Sequence, residues 1–193
     1  RFPDGSANIS LPANEVSMGS NWTISAWFTA PLNDTGVILR HSLAAAAVDD
    51  RHVTFDQAGG RQLGVYKSGN GNFQGSGFFG NSLANGWRHL VAVGSVNKTI
   101  FYVDGINVGE SNLIAGTPVE VIGNTLAGSE RFADKLDDFR IYSRSLSASE
   151  VSTLYGNGNG DFVAFSPVIT QGAGPLAKTG NEDTTFSWTA GEL

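Results

Sequence analysis

The segment NWTISAWFTA, residues 21–30, alternates with a period of two. Trp22, Ile24, Ala26 and Phe28 fall on one side of an extended chain, and Thr23, Ser25 and Trp27 on the other. That period belongs to a β-strand, because successive side chains of an extended backbone point to opposite faces. The pattern returns in GVILRHS, RHVTFDQ, RQLGVYKS, a shorter FQGSGFF, WRHLVAVGS, KTIFYVDG, INVGES, TPVEVIGN and LDDFRIYS. SANISL opens the series, with Ala7, Ile9 and Leu11 on one face. Val96-Asn97 and Asp104-Gly105 read as tight hairpin turns, the second a strong two-residue signal. Short strands at intervals of about 8–12 residues build an antiparallel sandwich or barrel. No βαβ alternation is present, which argues against a nucleotide-binding α/β fold. The expected class is all-β, an antiparallel sandwich or barrel.

One helix is legible near the end of the series, in LSASEVSTLYG. Ser147 is a good N-cap and Glu150 stands three residues on, which makes a capping box. Leu146 and Val151 take the staple positions, while Val151, Leu154 and Tyr155 share a face. Gly156 can adopt the left-handed conformation that ends a helix. A helix of about two turns does not persist alone in water. It must dock on the sandwich. Beyond it the chain turns Gly/Asn/Pro-rich, then alternates again in EDTTFSWTA. We place the boundary near Asp161. Residues 1–160 form the β-domain, and residues 161–193 a linker and the first strand of a further β-domain.

Composition narrows the function. The net charge is −6 and no Lys/Arg run occurs, so the basic face that nucleic acid demands is missing. No apolar run approaches the roughly 18 residues of a membrane-spanning helix. The chain has no cysteine, so disulfides, thiolate catalysis and cysteine zinc sites are excluded. It opens at Arg1 and stops within a strand-like pattern, and we expect a piece of a longer, secreted or cell-surface bacterial protein.

Four segments in order carry a family resemblance: FPDGSANISLP, WTISAWF, WRHLVAVGSVNKTIFYVDGINVG and LDDFRIYSRSLSASEVSTLY. Together they resemble the laminin-G-like jelly-roll domains of the concanavalin A-like lectin/glucanase superfamily, over about Arg1 to Asn157. The tail is similar to the start of a cadherin-like or immunoglobulin-like repeat. The resemblance implies a two-sheet, concanavalin A-like jelly-roll sandwich of about a dozen strands, used as a non-catalytic recognition module for glycans or surface proteins. Many such domains carry calcium, and the same superfamily includes glycoside hydrolases, so the fold alone does not decide the function.

The candidate sites follow from residue chemistry. Glycoside hydrolysis needs two carboxyl groups set across a sugar. The superfamily's glucanases carry Glu-x-Asp-x-Glu on one strand, a pattern this chain lacks. Asp137 and Asp138 are adjacent, so on a regular strand they face opposite sides and form no dyad. Glu120 stands alone in VEV, and no G-x-S-x-G elbow occurs. His41, His52 and His89 fall in separate strands, and we read His89 as a packed or edge histidine. The chain is not expected to be an enzyme.

Calcium takes several oxygen ligands. By alternation Asp137 shares the core-facing side with Phe139 and Ile141, where a carboxylate needs partners or a cation. Asp138 shares its side with Arg140, which suggests an ion pair. Asp4 of FPDG lies near Asp137 if the leading strand pairs near the closing one, as the resemblance implies. Asp4 and Asp137 are candidate calcium ligands, or else they accept backbone N–H groups in turns. Trp22, Trp27 and Trp87 are read as core. Tyr66, Asn70, Asn72, Phe73 and Gln74 surround a polar loop, KSGNGNFQGSGFFGNS. Its rings can stack on a sugar while the amides bond hydroxyls, or it is a plain hairpin loop. The leading expectation is a carbohydrate-binding or adhesion module; the alternatives are a structural spacer or protein-interaction domain without a glycan site and, third, a degenerate glycoside hydrolase.

Overall fold

The computed structural model describes residues 7–32, 37–41, 50–56, 60–68, 72–124 and 130–158, with residues 37–41, 72 and 157 described by backbone alone. The expected second domain, 161–193, lies outside the described residues. Eleven strands and one α-helix are present among the described residues. β1 is Ile9–Ser10, β2 Asn21–Ala30, β3 Val37–His41, β4 Arg51–Phe55, β5 Gln62–Lys67 and β6 Asn72–Phe79. β7 is Gly86–Ser95, β8 Lys98–Val103, β9 Ile106–Ser111, β10 Val121–Ile122 and β11 Leu136–Tyr142, followed by α1, Ala148–Tyr155. They form a six-stranded sheet, β1-β10-β3-β4-β5-β6, and a five-stranded sheet, β11-β2-β7-β8-β9. All pairings are antiparallel. Of the sandwich or barrel that the alternation allowed, this is the two-sheet sandwich that the family resemblance implied.

β2 and β7 make the backbone of the five-stranded sheet, paired without a break from Asn21↔Ser95 to Ala30↔Gly86. Trp22, Ile24, Ala26 and Phe28 of β2 enter the core beside Leu90, Ala92, Phe101 and Val103. Val53, Phe55, Leu63 and Val65 of the other sheet belong to the same cluster. Phe132 lies edge-on to Phe28 at 5.1 Å between ring centroids and 5.9 Å from Phe55, so it links the two sheets. The Trp22 indole donates to the Ala115 carbonyl at 2.9 Å, which satisfies its one buried donor. A Cβ at Gly94 would run into that indole, so only glycine admits it there.

The turns form as read. Val96 joins β7 to β8 with φ +52°, and Asp104 and Gly105 join β8 to β9 with φ +50° and +75°. Positive φ at both central residues gives the turn whose twist matches the strands it joins.

The other face of the five-stranded sheet is also covered. Thr23 and Ser25 are buried there, and Val91, Val93, Tyr102 and Tyr142 pack against Leu146, Val151 and Leu154. α1 is fixed by its cap: Ser147 Oγ accepts the Glu150 N–H at 3.3 Å, and Glu150 returns a carboxylate to the Ser147 N–H at 2.8 Å. Gly156 closes it in the left-handed conformation. Leu146 also donates its N–H to Thr23 Oγ1 at 3.0 Å, which ties the helix entry to β2.

Three strand expectations need correction. β1 shrinks to Ile9–Ser10, both exposed, and β10 to Val121–Ile122. Trp87 is not core: it is 45% exposed at the start of β7.

Candidate functional site

The strongest constellation lies on the outer face of the six-stranded sheet. Leu63 and Val65 point into the core, so Gly64 and Tyr66 face outward. Phe73 pairs directly with Tyr66 across β5–β6, and Arg51 pairs with Tyr66 across β4–β5. Arg51, Tyr66 and Phe73 therefore form one strip across three strands. The Phe73 ring lies over Gly64, where an added Cβ would sit 2.7 Å from it. Glycine at 64 makes the berth.

The Arg51 guanidinium carbon stands 5.1 Å from the Tyr66 ring centroid, a cation–π distance. Arg51 also pairs with Glu130 at 3.2 Å, both side chains being about a quarter exposed. With Thr54, Phe55 and Asp56 these groups line a pocket of about 110 Å³. Glu130 arrives from a distant part of the chain. Its N–H is accepted by the buried Asn124 Oδ1 at 2.8 Å, and Phe132 N–H donates to Gly123 O at 2.9 Å. Aromatic rings beside a guanidinium and two carboxylates suit a polyhydroxylated ligand, whose apolar face stacks while its hydroxyls bond.

Tyr66 and Phe73 are thus brought together. The loop around them is smaller than the sequence suggested: Phe73 and Gln74 lie in β6, not in a connection. Gln74 pairs with the core residue Val65, so alternation turns it to the face opposite Phe73. Asn72 pairs with Lys67 by backbone, its side chain outside the description, and Asn70 lies outside the described residues. The sequence reading missed Arg51, Thr54, Asp56 and Glu130. The β4–β5 register that sets Arg51 beside Tyr66 is interrupted by an irregularity between Arg51 and Thr54, and Glu130 is remote in sequence. A signal was present for Arg51 alone, as a cation at a strand start.

A family profile described as the concanavalin A-like lectin/glucanases superfamily, of the laminin G type, matches residues 3–152. The chain belongs to that superfamily. Among solved structures, domain 4 of AbnA, an extracellular arabinanase of Geobacillus stearothermophilus, in complex with arabinotriose, superposes with a TM-score of 0.60. It is 15% identical, over 77% of this chain and 72% of that one. A SAP-like pentraxin of Limulus polyphemus gives 0.52 at 16% identity, over 79% and 83% of the two chains. The Trypanosoma rangeli sialidase gives 0.51 at 21% identity, over 70% of this chain and 22% of that one. At these identities the likeness is one of fold. No curated protein matches the sequence.

For this superfamily member the calcium expectation meets a different geometry from the one alternation predicted. Leu136 pairs with Phe28 and Asp137 with Trp27, but Arg140 pairs with Ser25, so β11 carries one extra residue between them. This is a β-bulge, with Asp138 at φ +47°. The insertion resets the alternation. Phe139 and Ile141 still pack on the core, but Asp137 is exposed on the outer face beside Trp27. Its Oδ1 accepts the Asp138 N–H at 2.9 Å, and the Asp138 carboxylate accepts from Arg140 Nε at 2.7 Å. The ion pair is as expected; the core-facing Asp137 is not. Among the described residues no three His, Cys, Asp or Glu side chains converge, and Asp4 lies outside them. Around Asp137 the described residues place one exposed carboxylate on a turn N–H, and its expected partner Asp4 falls outside them.

Two histidine side chains, His52 and His89, are packed inside the fold. His52 is buried, its Nε2 2.9 Å from Thr117 O and its ring edge-on to Trp22. His89 is buried between Trp27 and Tyr155, 4.9 and 6.1 Å from their ring centroids. Its Nε2 lies 2.9 Å from Ser25 Oγ, while Nδ1 is buried without a described partner. Ser25 and His89 sit under the helix and its flanking rings, closed to a substrate.

Proposed function

We propose that this chain is a non-catalytic carbohydrate-binding module of a secreted or cell-surface bacterial protein, holding its glycan on the Arg51–Tyr66–Phe73 strip. The observation that carries the reading is the pocket in which two register-paired rings meet the Arg51–Glu130 ion pair and Asp56. The arabinotriose complex of a domain with this fold supports the same substrate class. Calorimetry with uncharged and acidic oligosaccharides tests it. Tyr66→Ala and Phe73→Ala should each weaken binding about tenfold, as loss of a stacking ring worth roughly 1.4 kcal/mol implies. Absence of heat with every glycan would leave the spacer or protein-adhesion reading in its place.

One observation favours a hydrolase as second reading: Asp56 and Glu130 both reach the pocket. Glu130 is held by Arg51, which suits positioning of a ligand better than proton donation. Release of reducing ends from a polysaccharide, abolished by Glu130→Gln, would decide for the enzyme.

A further inference from the structure

We infer that the outer face of the five-stranded sheet carries a second glycan-binding shelf, built on Trp87 and Trp27 and taking an uncharged sugar. It shares no residue with the Tyr66–Phe73 pocket and does not rest on that reading.

Strand register lays the shelf out in two rows. His89, Trp27 and Asp137 are successive partners across β7, β2 and β11. Trp87 and Thr29 pair in the next row, and Thr29 exchanges backbone and side-chain bonds with Lys135 at 3.2 Å. Trp27 and Trp87 are thus diagonal neighbours on one face, a relation that sets side chains about 7 Å apart. The lower ring is held: Trp27 stacks on Tyr155 at 5.9 Å and meets the His89 ring at a tilt, 4.9 Å between centroids. Trp87 has no such cover and is 45% exposed.

The rim supplies the groups that hydroxyls need. Neither indole N–H is taken by a described residue, and among the described residues Asp137 engages only Oδ1, on the Asp138 N–H. Lys135 and Asp137 are both exposed, so the rim offers donors and an acceptor around an open ring face. A sugar hydroxyl both donates and accepts, and the C–H face of its ring stacks on an indole. Charge decides the kind of sugar. Asp138 is paired with Arg140 and Arg88 with Asp104, and Lys135 and Asp137 offset one another. The shelf has no net charge with which to hold a uronate or sialate.

The test follows the tryptophan indole N–H resonances of the intact chain in ¹⁵N-correlated NMR spectra. Arabinotriose, xylotriose and cellotriose are the uncharged probes, and a galacturonic acid trimer the acidic one. The buried Trp22 indole, bonded to Ala115 O, serves as internal control and reports that each variant is folded. At least one uncharged trisaccharide should move the Trp27 and Trp87 signals at millimolar concentration. The shift should survive Tyr66→Ala and Phe73→Ala. It should vanish for Trp27 in Trp87→Ala and weaken severalfold in Asp137→Ala. The inference is overturned if no uncharged probe moves either signal, or if only the acidic trimer does. Movement with protein concentration alone would make the face a contact between copies, and loss of the shift in Tyr66→Ala would assign it to the other site; either result also overturns the inference.

Discussion

Trp27 and Tyr155 close over His89 and take its imidazole out of water. Burial is the largest influence and pushes its pKa down to about 4, against the attraction of Asp104 and Asp138, while Arg140 lowers it further. The sign of the consequence is fixed by linkage. The unfolded chain binds a proton near pH 6.5 and the folded one only near 4, so stability is full above 6.5 and falls across that window. The loss is at most about 3 kcal/mol. Urea midpoints recorded from pH 7 to 4 should fall in the native chain, with a shallower slope in His89→Gln. Gly64→Ala tests the berth of Phe73: its Cβ would strike the ring and the Gln74 carbonyl. We expect a loss of about 1–3 kcal/mol, as in other overpacked sites. Asp137 gives a third residue-scale expectation. Native and Asp137→Asn chains should melt alike in calcium and in chelator; a calcium-dependent rise lost in the variant would restore the sequence-based expectation.

At the scale of elements, α1 was wholly legible because a helix of this size announces its ends chemically. Ser147, Glu150 and Gly156 form the cap residues that the spacing indicated. Arg144 hydrogen-bonds the Glu150 carboxylate, and with the Ser147 N–H holds it ionised down to about 2. That share of stability is present above pH 4.5 and is lost as pH falls toward 2, though exposure to solvent keeps it small. Ser147→Ala should cost about 1 kcal/mol, the usual price of a cap, read from the thermal midpoint. β11 was legible as a strand and illegible in register. Alternation assumes one residue per step, and nothing in LDDFRIY declares that Asp138 bulges out at positive φ. A single inserted residue was enough to move Asp137 from one face to the other. The short strands β1 and β10 were overread because the alternation runs on beyond the two residues that each ladder pairs.

For the molecule as a whole, the all-β class followed from strand period and turn residues, which are local, and the two-sheet form from the family resemblance. The site did not, because it is made by contacts between remote segments: Arg51 with Glu130, or Trp87 with Thr29 and Lys135. Tyr66 and Phe73 were found since a hairpin keeps partners close in sequence. If residues 1–160 are a self-sufficient domain, a chain ending at Gly160 should unfold at the same midpoint as the full one in calorimetry. The bulge has a last consequence, for colloidal behaviour. β11 ends its sheet, and a straight apolar edge is a template on which other chains can add as strands. The kink at Asp138 and the charged pair it makes with Arg140 spoil that template. Deleting Asp138 would straighten the edge, leave Asp137 opposite Trp27 with Phe139 opposite Ala26, and remove the charge that pairs with Arg140, so the shortened chain should precipitate on concentration where the native one stays dispersed.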